Sequence, residues 1–589
     1  MTAALERDLP APSSPAPDAA VRPGVSAGAR LLAVLATLCL LGAALWLIAG
    51  QIDKPYVYDD VSFILGARAV AATGLPFGNQ GYLLHLYWQR EQWALWHPPL
   101  YMYALGLTVK LFGESERATR GLSVLCLLVG NVVAFDLARR AVLGRGGSSA
   151  RSLVAGVLAV AVYALNPLAI QSAMILDIDN TVLMVLLTAL AWLAIRLPGS
   201  WGLTTIVGIA LLYAVSIWAK MTTPLIFGVA LAFTRLFQAV GWRGALQTMI
   251  AVTLGWAIFA LSWVAIMTAT GMPLTYTLDV VRNEAVDSGI SSGHRLVSLQ
   301  GFIFGVAPAI LWLGPFFCLL FVTAGLPRLW SLLRGKGLEA SDLLVVLGAA
   351  IYLAYIFKLA GSLPKYHAAM LPLWAAAAGA LVATTVGRPT LAQYGVALIG
   401  GTALLWWYWD RMAELWAILW EEALNRELIV IPLLIGLGIA GLWAISGRGN
   451  RLGAIPVALL LLTVSWSLTL DVAQYGRTGS TTYYYDRHGQ KEAAAAVQAL
   501  LRPGELYVAS KEVAWYTDNL NYVDQESWQH VVWDLNGGRY DDTYLGMPIR
   551  VLVLEIGEES LRWAYDGALL RRGYRYAGEY GNFLIYLRP

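Results

Sequence analysis

Leu31 to Gly50 runs without a charged residue for about the thickness of a bilayer core, and stretches of this kind recur along the whole chain. They lie at 119–138, 152–173, 179–196, 202–219, 223–240, 246–270, 302–324, 341–361, 366–386, 391–409, 428–446 and 453–471. Lipid offers no hydrogen-bond partner, so each stretch must satisfy its own backbone N–H and C=O groups, and runs of this length do so as helices. With 58% hydrophobic and 13% charged residues over 589 positions and a mean hydropathy of +0.60, the chain falls far below the roughly 25% charge of soluble proteins. The sequence predicts a polytopic α-helical membrane protein with about 13 transmembrane helices.

The apolar segment Pro99 to Phe112 is too short to span and opens on a Pro-Pro pair, so it is expected to lie at or dip into the interface. Sidedness supports that choice. With 99–112 left out, Arg139, Arg140, Arg145 and Arg151 share one cytoplasmic loop, Arg328, Arg334 and Lys336 another, and Arg448 and Arg451 a third. Counting 99–112 as a crossing would put all these cations outside, against the positive-inside bias.

Residues 1–30 are rich in Ala, Pro and Ser and predict a disordered cytoplasmic tail. The first apolar run is longer than a signal-peptide core and lacks a small-x-small cleavage site, so it reads as an uncleaved helix. An odd number of crossings leaves everything beyond Asp471 outside the cytoplasm. From 476 to 589 charge becomes regular, and short apolar strands at Leu506 to Ala509, Val551 to Leu554 and Phe583 to Leu587 alternate with helical runs at Gln490 to Leu501 and Glu559 to Arg571. The expected organisation is therefore a tail at 1–30, a transmembrane unit at 31–475 with an outer loop at 51–118, and an extracytoplasmic α/β domain at 476–589.

Composition also excludes function classes. A net charge of +3, with scattered cations, gives no footprint for nucleic acid. Cys39, Cys126 and Cys318 all sit within apolar runs, which supports neither a disulfide framework nor a cysteine metal site.

Against this background two acidic clusters stand out: Asp59-Asp60 just past the first span, and Asp177-Ile178-Asp179 at the end of a later one. Carboxylates near a membrane are costly and point to function. In the same outer region as the first cluster, Gly74-Leu75-Pro76 is followed by Trp96-His97-Pro98-Pro99-Leu100. In order and sidedness these motifs, together with Ser172 to Leu183, Trp218 to Phe227 and Pro364 to Pro372, resemble the GT-C glycosyltransferases, in the branch of the protein O-mannosyltransferases and the lipid A aminoarabinose transferase. The resemblance covers roughly 31–390. It departs at Asp60, where relatives usually carry Glu, and at Trp96, where some carry an acid.

The resemblance implies a sugar donor on a polyprenyl phosphate and a hydroxyl acceptor that is a protein, a glycolipid or a polysaccharide. A phosphate leaving group needs positive charge and donors more than a proton, so the remaining task is activation of the hydroxyl. A partly desolvated carboxylate can take that proton while the hydroxyl attacks the anomeric carbon from the opposite face. Asp59 is the expected base, giving inversion, with Asp60 beside it and Asp177 and Asp179 binding the acceptor or the sugar or holding a basic partner. His97, Lys220, Lys365 and Tyr366 are the expected phosphate-binding groups. Histidine spacing, including His85, His294 and His367, forms no metal triad, and a divalent ion on Asp59, Asp60 or Asp177 is left open.

Each residue also has a structural reading. Asp179 can cap the following helix, Lys220 can snorkel to the interface, and His97 can serve one structural hydrogen bond. Two other functions compete: a transporter or flippase for a lipid-linked sugar, which predicts polar groups along a path through the bilayer and paired broken helices, and a non-catalytic scaffold.

Overall fold

The computed structural model describes residues 26–57, 59–77, 93–95, 97–144, 146–179, 181–238, 240–277, 343–351, 364–385, 454–478, 488–517, 521–524, 543–544, 547–555 and 569–589, with isolated positions 317, 320, 321, 325 and 567. The expected spans at 391–409 and 428–446, nearly all of 302–324, and most of the helix at Glu559 to Arg571 lie outside the described residues.

Helix α1 (Ala27–Ala49) starts inside the expected tail because Ser26 caps it, its hydroxyl accepting from the Ala29 amide at 3.2 Å. Then come α2 (Asp59–Thr73), α3 (Leu100–Phe112), α4 (Glu116–Gly144), α5 (Ser149–Ala164), α6 (Pro167–Met174), α7 (Val182–Arg196), α8 (Leu203–Ala219), α9 (Thr222–Leu236) and α10 (Gly241–Thr270). A 3-10 turn (Pro364–Met370) leads into α11 (Leu371–Thr385), and α12 (Ala454–Thr478) precedes the C-terminal unit. Among the described residues four helices are long and apolar enough to cross a membrane, or five if α5 and α6 form one span.

The span expected at 152–173 is built from this pair, as two helices with a break between them. The chain bends by 59° between α5 and α6, where Asn166 accepts from the Leu168 amide at 3.0 Å and Pro167 opens the new helix. Proline lacks the N–H that would continue α5, and its fixed φ suits a first turn. All eight residues of α6 are buried.

Small residues bring the helices together. A Cβ on Gly379 in α11 would overlap the Ala155 carbonyl oxygen of α5 and lie 3.0 Å from the Ala159 nitrogen, so only glycine allows this approach. At the other end, buried Arg235 of α9 donates to the Leu197, Pro198 and Gly199 carbonyls at 3.0, 3.2 and 2.8 Å and ties off the α7–α8 connection.

The C-terminal unit contains α13 (Gln490–Leu500), β1 (Leu506–Ala509), α14 (Lys511–Trp515), β2 (Tyr522–Asp524), β3 (Thr543–Tyr544), β4 (Met547–Glu555), β5 (Arg575–Tyr580) and β6 (Phe583–Leu587). The strands form one sheet in the order β2-β1-β4-β6-β5, with β3 on β4. β1 pairs in parallel with β2 and β4, while β6 is antiparallel to β4 and β5. Val551, Val553, Phe583 and Ile585 are fully buried against Ala493, Ala494 and Val497 of α13. Each large side chain buried this way is worth about 1.5–3 kcal/mol.

Candidate active site

The two acidic clusters meet. Asp60 sits in the first turn of α2 with no exposed surface, and its Oδ1 accepts the Leu176 amide at 2.6 Å, immediately before Asp177. Its Oδ2 accepts the Val57 amide at 3.4 Å and faces the Arg120 guanidinium at 3.6 Å. Removing one partner of such a buried pair costs about 3–5 kcal/mol, which makes Arg120 a structural requirement of Asp60.

Arg120 lies near the start of α4, 2% exposed. Its Nε donates to the Met174 carbonyl at 2.7 Å, and its remaining N–H groups reach the carbonyls of Ile52 at 2.9 Å, Pro55 at 3.1 Å and Lys54. One guanidinium thus fixes both the loop before Asp59-Asp60 and the end of α6. No sequence motif singles Arg120 out; the available signal is an arginine at the start of an apolar helix, close in sequence to Glu114 and Glu116.

Asp177 and Asp179 are both buried, in a turn rather than in the helix expected from residue 179. Asp177 Oδ1 accepts the Asp179 amide at 3.0 Å, and the Thr181 hydroxyl donates to the Asp177 carbonyl at 3.1 Å. This local pairing holds the backbone out of helical geometry until Val182. The N-cap of α7 is Thr181, so the capping reading of Asp179 is corrected. Asp179 Oδ2 instead pairs with Lys220 Nζ, and Lys220, the C-cap of α8, is buried there rather than snorkelling outward.

Tyr101, in the first turn of α3, is buried; burial first, then the charges of Asp60 and Asp177, pushes its hydroxyl well above the ordinary phenol range. His97 is half-buried in the turn leading into α3. The Gly74-Leu75-Pro76 motif joins this layer, with the Ala94 amide donating to the Pro76 carbonyl at 2.7 Å and Phe77 stacked on Trp93 at 4.6 Å. Gly74 adopts φ of +77°, which lets the chain reverse directly after α2.

The 3-10 turn carrying Lys365 and Tyr366 packs against α6 and α7, beside the Asp177–Asp179 turn. The side chains of Asp59, Lys365 and Tyr366, like Trp96, His85 and His294, lie outside the described residues. Among the described residues no group of three or more His, Cys, Asp or Glu side chains is placed to hold a metal ion. Asp60 is engaged by two amides and Arg120, and Asp179 by Lys220, so these carboxylates do not fit a cation cradle.

The arrangement buries three carboxylates, Asp60, Asp177 and Asp179, together with two cations, Arg120 and Lys220. Buried charges of this kind interact more strongly than they would in water, which suits activation of a hydroxyl and contact with a phosphate.

No family model and no curated protein matches the chain by sequence. Solved structures do. The crystal structure of ArnT from Cupriavidus metallidurans bound to undecaprenyl phosphate is similar with a TM-score of 0.58 and 15% identity, over 96% of this chain and 99% of that one. ArnT in the apo state gives 0.55 and 16% identity, over 95% and 98%. The archaeal oligosaccharyltransferase AglB from Archaeoglobus fulgidus, with an inhibitory peptide and a dolichol-phosphate, gives 0.45 and 13% identity, over 96% and 75%. Over the 96% of its length that is matched, the chain shares the GT-C fold of ArnT, the lipid A aminoarabinose transferase.

Proposed function

We propose that this chain is a membrane glycosyltransferase that moves a sugar from a polyprenyl-phosphate donor to a hydroxyl acceptor on the outer face. The observation that carries the reading is the convergence of the Asp59-Asp60 segment, the Asp177–Asp179 turn and Lys220 at one end of a bundle with the fold of ArnT. In this reading Asp59 takes the acceptor proton as the hydroxyl attacks the anomeric carbon, and the prenyl phosphate departs from the opposite face with inversion. Asp60, already held by Arg120 and two amides, fixes where Asp59 stands. Lys220 and Lys365, with His97 and Tyr366, stabilise the charge that gathers on the leaving phosphate.

The proposed organisation keeps about 13 spans, a cytoplasmic N-terminus, a catalytic unit over 31–475 and an extracytoplasmic α/β domain over 476–589. Asp60, Asp177, Asp179, Arg120 and Lys220 gather in one place, as the groups of a transfer site do, which favours transfer over transport.

The test is Asp59→Asn in cells, read by mass spectrometry of glycans and lipids with and without the gene. The amide keeps size and hydrogen bonding but cannot take a proton, so product should fall by about 10²- to 10⁴-fold. Product at the normal level would remove Asp59 from the chemistry.

A further inference from the structure

The C-terminal α/β unit touches the membrane part at the loop that feeds Asp59 and Asp60. Tyr516, directly after α14, places its hydroxyl between two groups of that region, accepting the Tyr56 amide at 2.9 Å and donating to Glu116 Oε1 at 2.9 Å. Its ring stacks on Tyr56 with centroids 6.4 Å apart and planes 16° from parallel. Lys491 of α13 pairs with the same Glu116 at 2.6 Å. Next to it the Trp515 ring covers the Arg68 guanidinium of α2 at 3.6 Å, and Arg68 is itself paired with Glu114 at 2.8 Å. Tyr56 completes the junction by sharing a 2.6 Å hydrogen bond with Thr119.

The loop before the acidic pair is therefore gripped from two sides. Arg120 takes the carbonyls of Ile52, Lys54 and Pro55 from the bundle, and Tyr516 takes the amide of Tyr56 from the α/β unit. The next amide, that of Val57, is the one that reaches Asp60. Burial, followed by the Glu116 charge, pushes the Tyr516 hydroxyl above the ordinary phenol range, so it remains a donor throughout the physiological range. A docking made only for adhesion would not need a half-buried hydroxyl bridging a backbone amide and a carboxylate, since an apolar ring would serve at lower desolvation cost.

We propose that the C-terminal α/β unit positions the Asp59-Asp60 pair, with Tyr516 as the positioning residue. The proposal rests on the reading of Asp59 as the base. It gives the α/β unit a role in the reaction without contact with the reacting atoms: the unit holds the segment 52–57 in the register that aims the first turn of α2.

The experiment uses the full chain in nanodiscs and compares wild type with Tyr516→Phe, which keeps the stacked ring and removes the hydroxyl. Hydrogen exchange of the 52–66 segment should rise by about tenfold, the scale of one hydrogen bond, while 490–509 keeps its protection. Binding of undecaprenyl phosphate as probe should be unchanged, and product in cells should fall by about three- to tenfold, a fall in turnover without loss of donor affinity. If Tyr516→Phe unfolds the α/β unit, protection at 490–509 is lost with it, and Lys491→Ala on the exposed rim then decides the matter by the same readouts. Unchanged exchange at 52–66 in the folded variant overturns the proposal, and so does faster exchange with undiminished product. Normal product from Asp59→Asn would instead sink the base reading, while the exchange data would still report whether Tyr516 holds the loop.

Discussion

Leu176 donates its backbone amide to Oδ1 of Asp60 at 2.6 Å, across 116 residues of chain. This bond joins the first turn of α2 to the turn after α6, so neither acidic segment reaches its position alone. The neighbouring residues on both sides are the charged ones, which makes the junction a positioning device for Asp59 and Asp177 at once.

Arg120 is the cation on which that junction depends. Arg120→Ala leaves Asp60 buried without its counter-charge and strips partners from four carbonyls. A loss of about 3–5 kcal/mol is expected, visible as a lower Tm and poor recovery of folded protein in detergent. Arg120→Lys should recover little, because an ammonium cannot reproduce the planar fork. A wild-type Tm for Arg120→Ala would mean that the pair contributes nothing.

The Asp179–Lys220 pair permits a double-mutant cycle. Asp179→Asn and Lys220→Met each strand a buried charge, and the double variant removes both, so the double should cost less than the sum by about 0.5–3 kcal/mol. Donor recognition is separable from this. If Lys220 and Lys365 also face the donor phosphate, Lys220→Met and Lys365→Ala should weaken undecaprenyl phosphate binding in nanodiscs by about tenfold or more. Intact binding in both would leave Lys220 as the partner of Asp179 alone.

Alkaline pH should loosen the α/β unit. Burial pushes the Tyr507 and Tyr522 hydroxyls above the ordinary phenol range, so the folded state holds these protons more tightly than the unfolded chain does. The associated stability is complete below the unfolded value of about 10 and declines as pH rises beyond it. Protease resistance of 488–589 should be flat from pH 7 to about 9.5 and fall above that. Among the described residues the Tyr522 hydroxyl is buried without a hydrogen-bond partner, so Tyr522→Phe should be neutral or stabilising and should soften the alkaline fall. A steeper fall in that variant would contradict the assignment.

Topology can be read with reporters. One fused after Pro589 should be active only outside the cytoplasm, and one inserted near Gly147, between α4 and α5, only inside. The same side for both would end the thirteen-span arrangement.

Much of the fold is legible in the sequence because its signals are local. Apolar runs locate α1, α4, α7, α8, α9, α10 and α12, and short apolar segments give β1 and β6 at their observed ends. β2 and β5 escape: β2 is three residues long, and β5 is exposed at most of its positions. The 59° bend escapes because 152–173 is apolar throughout, although Asn166-Pro167 is a cap followed by a first-turn proline and is readable as a break. At the site, residue types point to the acids and to Lys220. Their partners are hidden, since the contacts of Asp60 with Arg120 and Leu176 depend on tertiary packing, which no spacing encodes.

The bend also acts as a lever arm. An eight-residue helix is about 12 Å long, so swinging α6 through 59° displaces its far end by about 12 Å from where a straight continuation of α5 would carry it. That far end is where Leu176 meets Asp60. The angle set by a single Asn-Pro step therefore sets where the Asp177–Asp179 turn stands relative to the axis of α5, and so whether Leu176 can meet Asp60 at all.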